Sequence, residues 1–339
     1  MTDHQFRTLV ERLCHKISKD RLIIQGAGGN VSWKTENHLW IKLSGAWIGE
    51  IYDKDIFGSI QRDKLDNLIN QEIFDVAPSL MDQEGARPSI EVMLHAIINK
   101  RFVFHLHMVE VIATLINNPE MLSARLKKNN LNAQTIAYCK PGEELAKAIY
   151  QAMKIQPETD MLCLENHGVV LFSDDINEIE SQITLLKKIC EKKKFKNITI
   201  SPQKNISKNI VNTQYELLED SKINLLILRD DIYSKLDNLW PICPDHLVFL
   251  GPRPYLYDNL EQFKDSLTQS FKPPLVFIKK RGIYFNVEIF SKIHFIQLQC
   301  FTDILLHLDH LNNVPVISKN EIQKLLNWDA EKYRQQMNQ

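Results

Sequence analysis

The sequence predicts an α/β fold in two parts, and three observations carry that prediction. Apolar residues recur at helical spacing in some segments and form short apolar runs in others, with the two kinds interleaved along the chain. The 339 residues are enough for two domains at roughly 100–200 residues each. A lysine-rich stretch that turns to asparagine, serine and Pro202 separates the two sets of elements.

From Asp3 to Lys19, Phe6, Leu9, Val10, Leu13, Cys14 and Ile17 lie at three- and four-residue spacings and predict a first helix. Leu22 to Ile24 runs into Gly26-Ala27-Gly28-Gly29-Asn30, where glycines allow the backbone to approach a ligand closely. Leu39–Leu43 reads as a strand ending at Ser44-Gly45. Pro88-Ser89 predicts a helix start, with Ser89 at or near the N-cap. Phe102–His107 follows as a strand, and Met161–Leu164 with Val169–Phe172 forms a strand pair around Glu165-Asn166-His167-Gly168. A long amphipathic helix is expected between Ile176 and Lys194.

Residues 187 to 208 hold eight lysines against one acidic residue, Glu191, which suits a solvated helix end. Residues 198–210 are read as a linker between a domain at 1–197 and a smaller α/β domain at 211–339. In the latter, Leu247–Leu250 and Leu275–Ile278 read as strands, and helices are expected at Asn259–Ser270, Ser291–Leu311 and Lys319–Tyr333.

Composition excludes several classes. With 44% hydrophobic residues the chain can bury a core, which rules out global disorder. Its 41 basic and 42 acidic residues leave no basic excess for duplex nucleic acid, so no nucleic-acid partner is expected. No apolar run approaches the roughly 20 residues of a membrane span, and the opening residues lack a leader's apolar core. The six cysteines are scattered without a Cys-x-x-Cys pair, as in a reduced, cytoplasmic protein.

Three constellations could carry chemistry. His105 and His107 share one strand face by the two-residue period, so they can chelate one ion or be two ordinary strand histidines. His167, in the tight Asn166-His167-Gly168 connection, is a third imidazole; three on one ion would leave a position open, the pattern of a catalytic zinc. Glu91 leads into the next helix and can be a dipole-favoured carboxylate, a resting fourth ligand or a general base; His95, one turn on, reads as a core histidine. Gly28-Gly29-Asn30-Val31-Ser32 and Ser44-Gly45 offer the small residues and backbone N–H groups that an oxyanion needs. The third glycine of a dinucleotide loop would fall on Val31, so that reading fails.

Gly29-Asn30-Val31-Ser32, Ser44-Gly45, Pro88-Ser89-Ile90-Glu91, His105-Leu106-His107 and Asn166-His167-Gly168, in this order, resemble the class II aldolase/adducin family over the first ~195 residues. The form Leu39–Gly45 with Arg87–Glu91 looks like the aldolase part of aldolase–dehydrogenase fusions, and the C-terminal segments at Pro244–Gly251 and Asn327–Arg334 look like their connecting region, here without a dehydrogenase fingerprint. The resemblance implies a three-layer α/β/α domain on a mostly antiparallel central sheet, forming a homo-oligomer such as a tetramer. It implies a zinc or other divalent metal on His105, His107 and His167, with Glu91 as catalytic acid/base, and Gly29, Asn30, Ser44, Gly45 and Ser89 holding a sugar phosphate. The implied reaction is aldol cleavage or formation of a ketose phosphate or related hydroxy-ketone through an enediolate. A sugar-phosphate 4-epimerase, decarboxylase or dehydratase would use the same site, and an adducin-like interaction module would dispense with the metal. Ile90 replaces a family serine, a loss that Lys42 or Arg87 could offset, and no residue matches the family's proton-donating tyrosine.

Overall fold

Four central strands, buried at every residue, build the main sheet. A computed structural model describes residues 2–76, 78–191, 210, 213–267 and 271–338. Its first seven strands are β1 (Asn30–Lys34), β2 (His38–Lys42), β3 (Phe57–Gln61), β4 (Phe102–Leu106), β5 (Ala133–Ile136), β6 (Met161–Leu164) and β7 (Gly168–Ser173). They form one sheet in the order β3-β2-β1-β4-β7-β6-β5, antiparallel except for the parallel β5–β6 pair. The expected mostly antiparallel sheet is therefore present.

Both faces are covered, as strands buried at every residue require. Phe102, Phe104 and Leu106 of β4, with Trp33, Met161, Cys163, Val169 and Leu171, pack under the helices Asp3–Ile17, Val109–Asn117 and Ile176–Cys190. On the opposite face Val103, Leu162, Leu164, Val170 and Phe172 meet the helices Val92–Ile97 and Glu143–Ile155. The first helix buries Phe6, Val10, Leu13, Cys14 and Ile17 as its spacing predicts, and Thr2 with Gln5 closes a capping box at its start.

The C-terminal part holds a smaller sheet of β8 (Tyr215–Leu217), β9 (Leu256–Tyr257), β10 (Leu275–Ile278) and β11 (Gly282–Asn286), ordered β8-β11-β10-β9. Its helix Lys292–His307 packs on Val109–Asn117, so Ile112, Ala113 and Ile116 share one core with Phe301, Ile304 and Leu305. That shared core brings later residues over one end of the large sheet. Among the described residues no helix is long and apolar enough to cross a membrane.

Three readings of the sequence need correction. Leu247–Leu250 is not a strand but the end of a helix, Pro244–Leu250, buried along its whole length. A short apolar run buried on all sides has no period to distinguish the two, and Pro244 at the first turn favours the helix. The single helix expected over Lys319–Tyr333 is two, Lys319–Leu326 and Asp329–Gln336, broken at Asn327-Trp328. The helix expected from Ser89 begins at Val92, because Ser89–Glu91 forms a turn that Val92 N–H closes onto Ser89 O at 3.0 Å. All but the last residue of the expected linker lies outside the described residues.

Candidate active site

The end of β4 and the β6–β7 turn bring three histidines together. His105 lies opposite Asn30 of β1 and Val170 of β7, and His107 follows directly after the strand. His167 occupies the turn between Leu164 and Gly168, where Asn166 adopts a φ of 55° and its side-chain amide donates to the carbonyls of Ile242 and Pro315, each at 2.9 Å. Gly168 has a φ of 154°, and a Cβ there would lie 2.3 Å from Leu106 O. Gly168→Ala is therefore expected to cost about 1–3 kcal/mol of stability and displace His167. Thermal unfolding checks this, and an unchanged midpoint would refute it.

The Nε2 atoms of His107 and His105 are 3.0 Å apart, and those of His105 and His167 are 3.3 Å apart. Nitrogens bound tetrahedrally to zinc at about 2.0–2.1 Å lie about 3.3 Å from each other, so these two spacings are near those on one ion. His105 Nδ1–H donates to Val169 O at 3.2 Å, which leaves its Nε2 lone pair facing the other rings. Burial pulls the pKa of His105 down to about 4 and that of His167 to about 3, so both are neutral near pH 7. All three residues are buried, and this group could hold a metal ion.

Glu91 completes the cluster. Its Oε2 stands 3.5 Å from His105 Nε2 and its Oε1 3.7 Å from His167 Nε2. Burial alone would raise its carboxyl, but His105, His167 and a 2.7 Å hydrogen bond from Asn30 Nδ2 bring it down to about 2. The carboxylate is thus an anion, and its buried Oε1 has no hydrogen-bond partner. An unsatisfied anionic oxygen beside three buried imidazoles is a fit for a cation.

Asn30 is fixed in turn by His95. Since Asn30 Nδ2 donates to Glu91, Asn30 Oδ1 accepts from His95 Nε2–H, which leaves His95 Nδ1 to accept from Ser32 Oγ at 2.7 Å. His95 is buried, as expected of a core histidine, yet it also belongs to a chain that ends on Glu91.

Ser44 and Ser89 are tied together by the Leu43–Pro88 bridge: Ser44 N–H donates to Arg87 O at 2.9 Å and Ser89 N–H to Lys42 O at 3.0 Å. Gly29, Asn30, Ser44, Gly45, Ser89, Glu91, His107 and His167 all line one pocket, with His105 directly against it. Ser44 Oγ is buried without a partner there. A second cavity of about 180 Å³ begins at Ser44, Ser89 and Ile90 and reaches Arg87 and Lys140.

Residues beyond the first sheet also enter. Arg334, on the helix Asp329–Gln336, lines the same pocket and pairs with Asp245 and, at 3.2 Å, Glu331. Lys42 is buried beside them, and burial lowers its pKa to about 7. With these side chains in place the pocket encloses only about 10 Å³, so a sugar-sized ligand requires them to move. Asp245, Glu331 and Arg334 lie within the C-terminal segments that carry the resemblance to the fusions, but nothing in their spacing marks them as neighbours of the site.

The pattern of the family described as Class II Aldolase and Adducin N-terminal domain matches residues 9–193. The chain is 24% identical over 292 residues to the uncharacterized oxidoreductase YuxG of Bacillus subtilis, covering 74% of this chain and 42% of that relative. It therefore spans less than half of that protein's length. To the L-fuculose phosphate aldolase of Methanococcus maripaludis it is 24% identical over 188 residues, 53% of this chain and 91% of the relative. The solved N-terminal class II aldolase domain of a conserved protein from Thermoplasma acidophilum aligns with a TM-score of 0.44 at 23% identity, covering 53% of this chain and 90% of that one.

Proposed function

The chain belongs to the class II aldolase and adducin family, and from that premise we propose that it is a metal-dependent aldolase acting on a ketose phosphate or related hydroxy-ketone. The observation that carries the proposal is the buried set of three imidazoles, with His105 Nε2 3.0 Å from His107 Nε2 and 3.3 Å from His167 Nε2, and the unsatisfied Glu91 carboxylate beside them. An interaction module that works without metal has no use for such a set. In this reading residues 1–197 are the catalytic domain and 211–339 a second, smaller domain of a cytoplasmic homo-oligomer.

His105, His107 and His167 would hold a divalent ion, zinc being the fit for an all-imidazole set, and Glu91 would be a fourth ligand at rest. Bound there, the ion supplies Lewis-acid polarisation of a substrate carbonyl. Glu91 removes the proton from the carbon next to that carbonyl when the C–C bond is to be formed, and returns it after cleavage. In the cleavage direction the departing carbinol gives its hydroxyl proton to solvent and becomes an aldehyde, and the electron pair of the broken bond remains on that carbon as the enediolate. Asn30 keeps one Glu91 oxygen engaged so that the other faces the reacting carbon. Ser44, Ser89, Gly29 and Gly45 receive the phosphate end, and Arg87 and Lys140 beside the 180 Å³ cavity supply N–H donors in place of the hydroxyl that Ile90 lacks.

A screen of ketose phosphates, unphosphorylated ketoses and acid derivatives with zinc, cobalt or manganese tests this. Aldehyde release from a phosphorylated ketose, stopped by a chelator, is the expected result. Turnover of acid derivatives alone, by loss of carbon dioxide or water, would contradict the aldolase assignment.

A further inference from the structure

Beyond residues 9–193, and resting on the metal reading above, we infer that Asp245 is a positioning residue of the metal centre, fixing the tautomer of His107, and that Arg334 holds Asp245 for that task. The helix Pro244–Leu250 presents Asp245, fully buried, to the side of His107 away from the other histidines. Asp245 Oδ2 has no hydrogen-bond partner and stands 3.5 Å from His107 Nδ1, while Oδ1 takes the Arg334 guanidinium. His107 Nε2 is thereby left facing His105 Nε2 at 3.0 Å. A carboxylate that accepts from Nδ1–H puts the lone pair on Nε2, the atom that faces the cluster.

The surroundings have no substitute. Groups facing Asp245 are Arg334 and His107, with Lys42 and Glu331 close enough to act electrostatically. Glu331 is itself paired with Arg334 at 3.2 Å. The approach of Asp245 to His107 also depends on Gly28: a Cβ at that position would lie 2.7 Å from Asp245 Oδ2 and 2.8 Å from His107 Nδ1. The glycine in the loop before β1 thus leaves room for a contact made by a residue more than two hundred positions later. This gives the C-terminal part a role at the metal, since His105 is served by Val169 O of its own sheet while His107 is served by Asp245.

The consequence is specific to tautomer. In Asp245→Asn the single oxygen goes to Arg334, because two donors cannot face each other, and the amide N–H₂ turns to His107. His107 then accepts at Nδ1 and carries its proton on Nε2, where it blocks an ion. Zinc affinity of the full-length protein, measured by competition with a chelator, should fall about 10–100-fold in Asp245→Asn. Asp245→Asn/Arg334→Met frees the asparagine oxygen to turn to His107, and should recover part of that loss, which a purely structural defect would deepen. Gly28→Ala, which changes no charge, should also weaken zinc binding, so the test does not depend on how well Asp245→Asn folds. Zinc binding by Asp245→Asn within twofold of wild type, or a double variant no better than the single one, overturns the role of Asp245. Wild-type protein that takes up no zinc overturns the metal reading itself.

Discussion

Glu91→Gln should keep the metal and lose the chemistry. The imidazoles of His105 and His107 stay in place, because neither relies on Glu91 for its tautomer: His105 is held by Val169 O, and His107 stands against Asp245. The amide cannot take up a proton, so exchange of the substrate's α-hydrogen with solvent should fall by about 10²–10⁴-fold, the range for losing a positioned acid/base. Deuterium incorporation followed by NMR, with zinc content measured on the same sample, reads both parts. Exchange at the wild-type rate would remove Glu91 from the proposed mechanism. Asn30 should accept the change without unfolding, since its amide can still donate to the glutamine oxygen.

The second large effect is expected from His105→Ala/His107→Ala. Two of three imidazoles are removed, and the remaining His167 with Glu91 cannot hold an ion at micromolar levels; zinc content should drop from about one equivalent to near background, and cleavage with it. The fold should survive, because the β4 residues that fill the cores are Phe102, Val103, Phe104 and Leu106, not the histidines. Circular dichroism of the double variant separates metal loss from unfolding. Full zinc occupancy in a folded double variant would place the metal elsewhere.

Much of the site was legible from the chain because its signals are local. The His-x-His pair needs only the strand period to put two rings on one face, and His167 is marked by its place between two apolar strands beside Gly168. Gly29, Asn30, Ser44, Gly45 and Ser89 share one pocket with Glu91, as the family resemblance implies. What escaped notice depends on tertiary placement. His95 is spaced as a helix-face residue, and nothing in that spacing shows that its ring links Ser32 to Asn30. Asp245 and Arg334 reach the pocket only because the helix Lys292–His307 packs on Val109–Asn117 and folds the later chain back over the sheet. The misread Leu247–Leu250 segment is the same case, since complete burial erases the period by which strand and helix are told apart.

Charge follows the same division. The lysine excess at residues 187–208 balances an acidic surplus in the rest of the chain, so the near-neutral total conceals two unlike parts. At the pocket the balance is local: Arg334, Lys42 and Glu91 line it, Asp245 and Glu331 pair with Arg334 behind it, and burial raises Glu331 to about 7. A buried group of this kind is costly for the fold to keep, which is consistent with a site built for ligands.

X-ray absorption at the zinc edge of metal-reconstituted full-length protein tests the central claim most directly. The account predicts one zinc per chain with three imidazole nitrogens at about 2.0–2.1 Å and an oxygen ligand, and no sulfur. A chain that takes up no zinc, or a zinc ligated by cysteine sulfur or by oxygens alone, would contradict it.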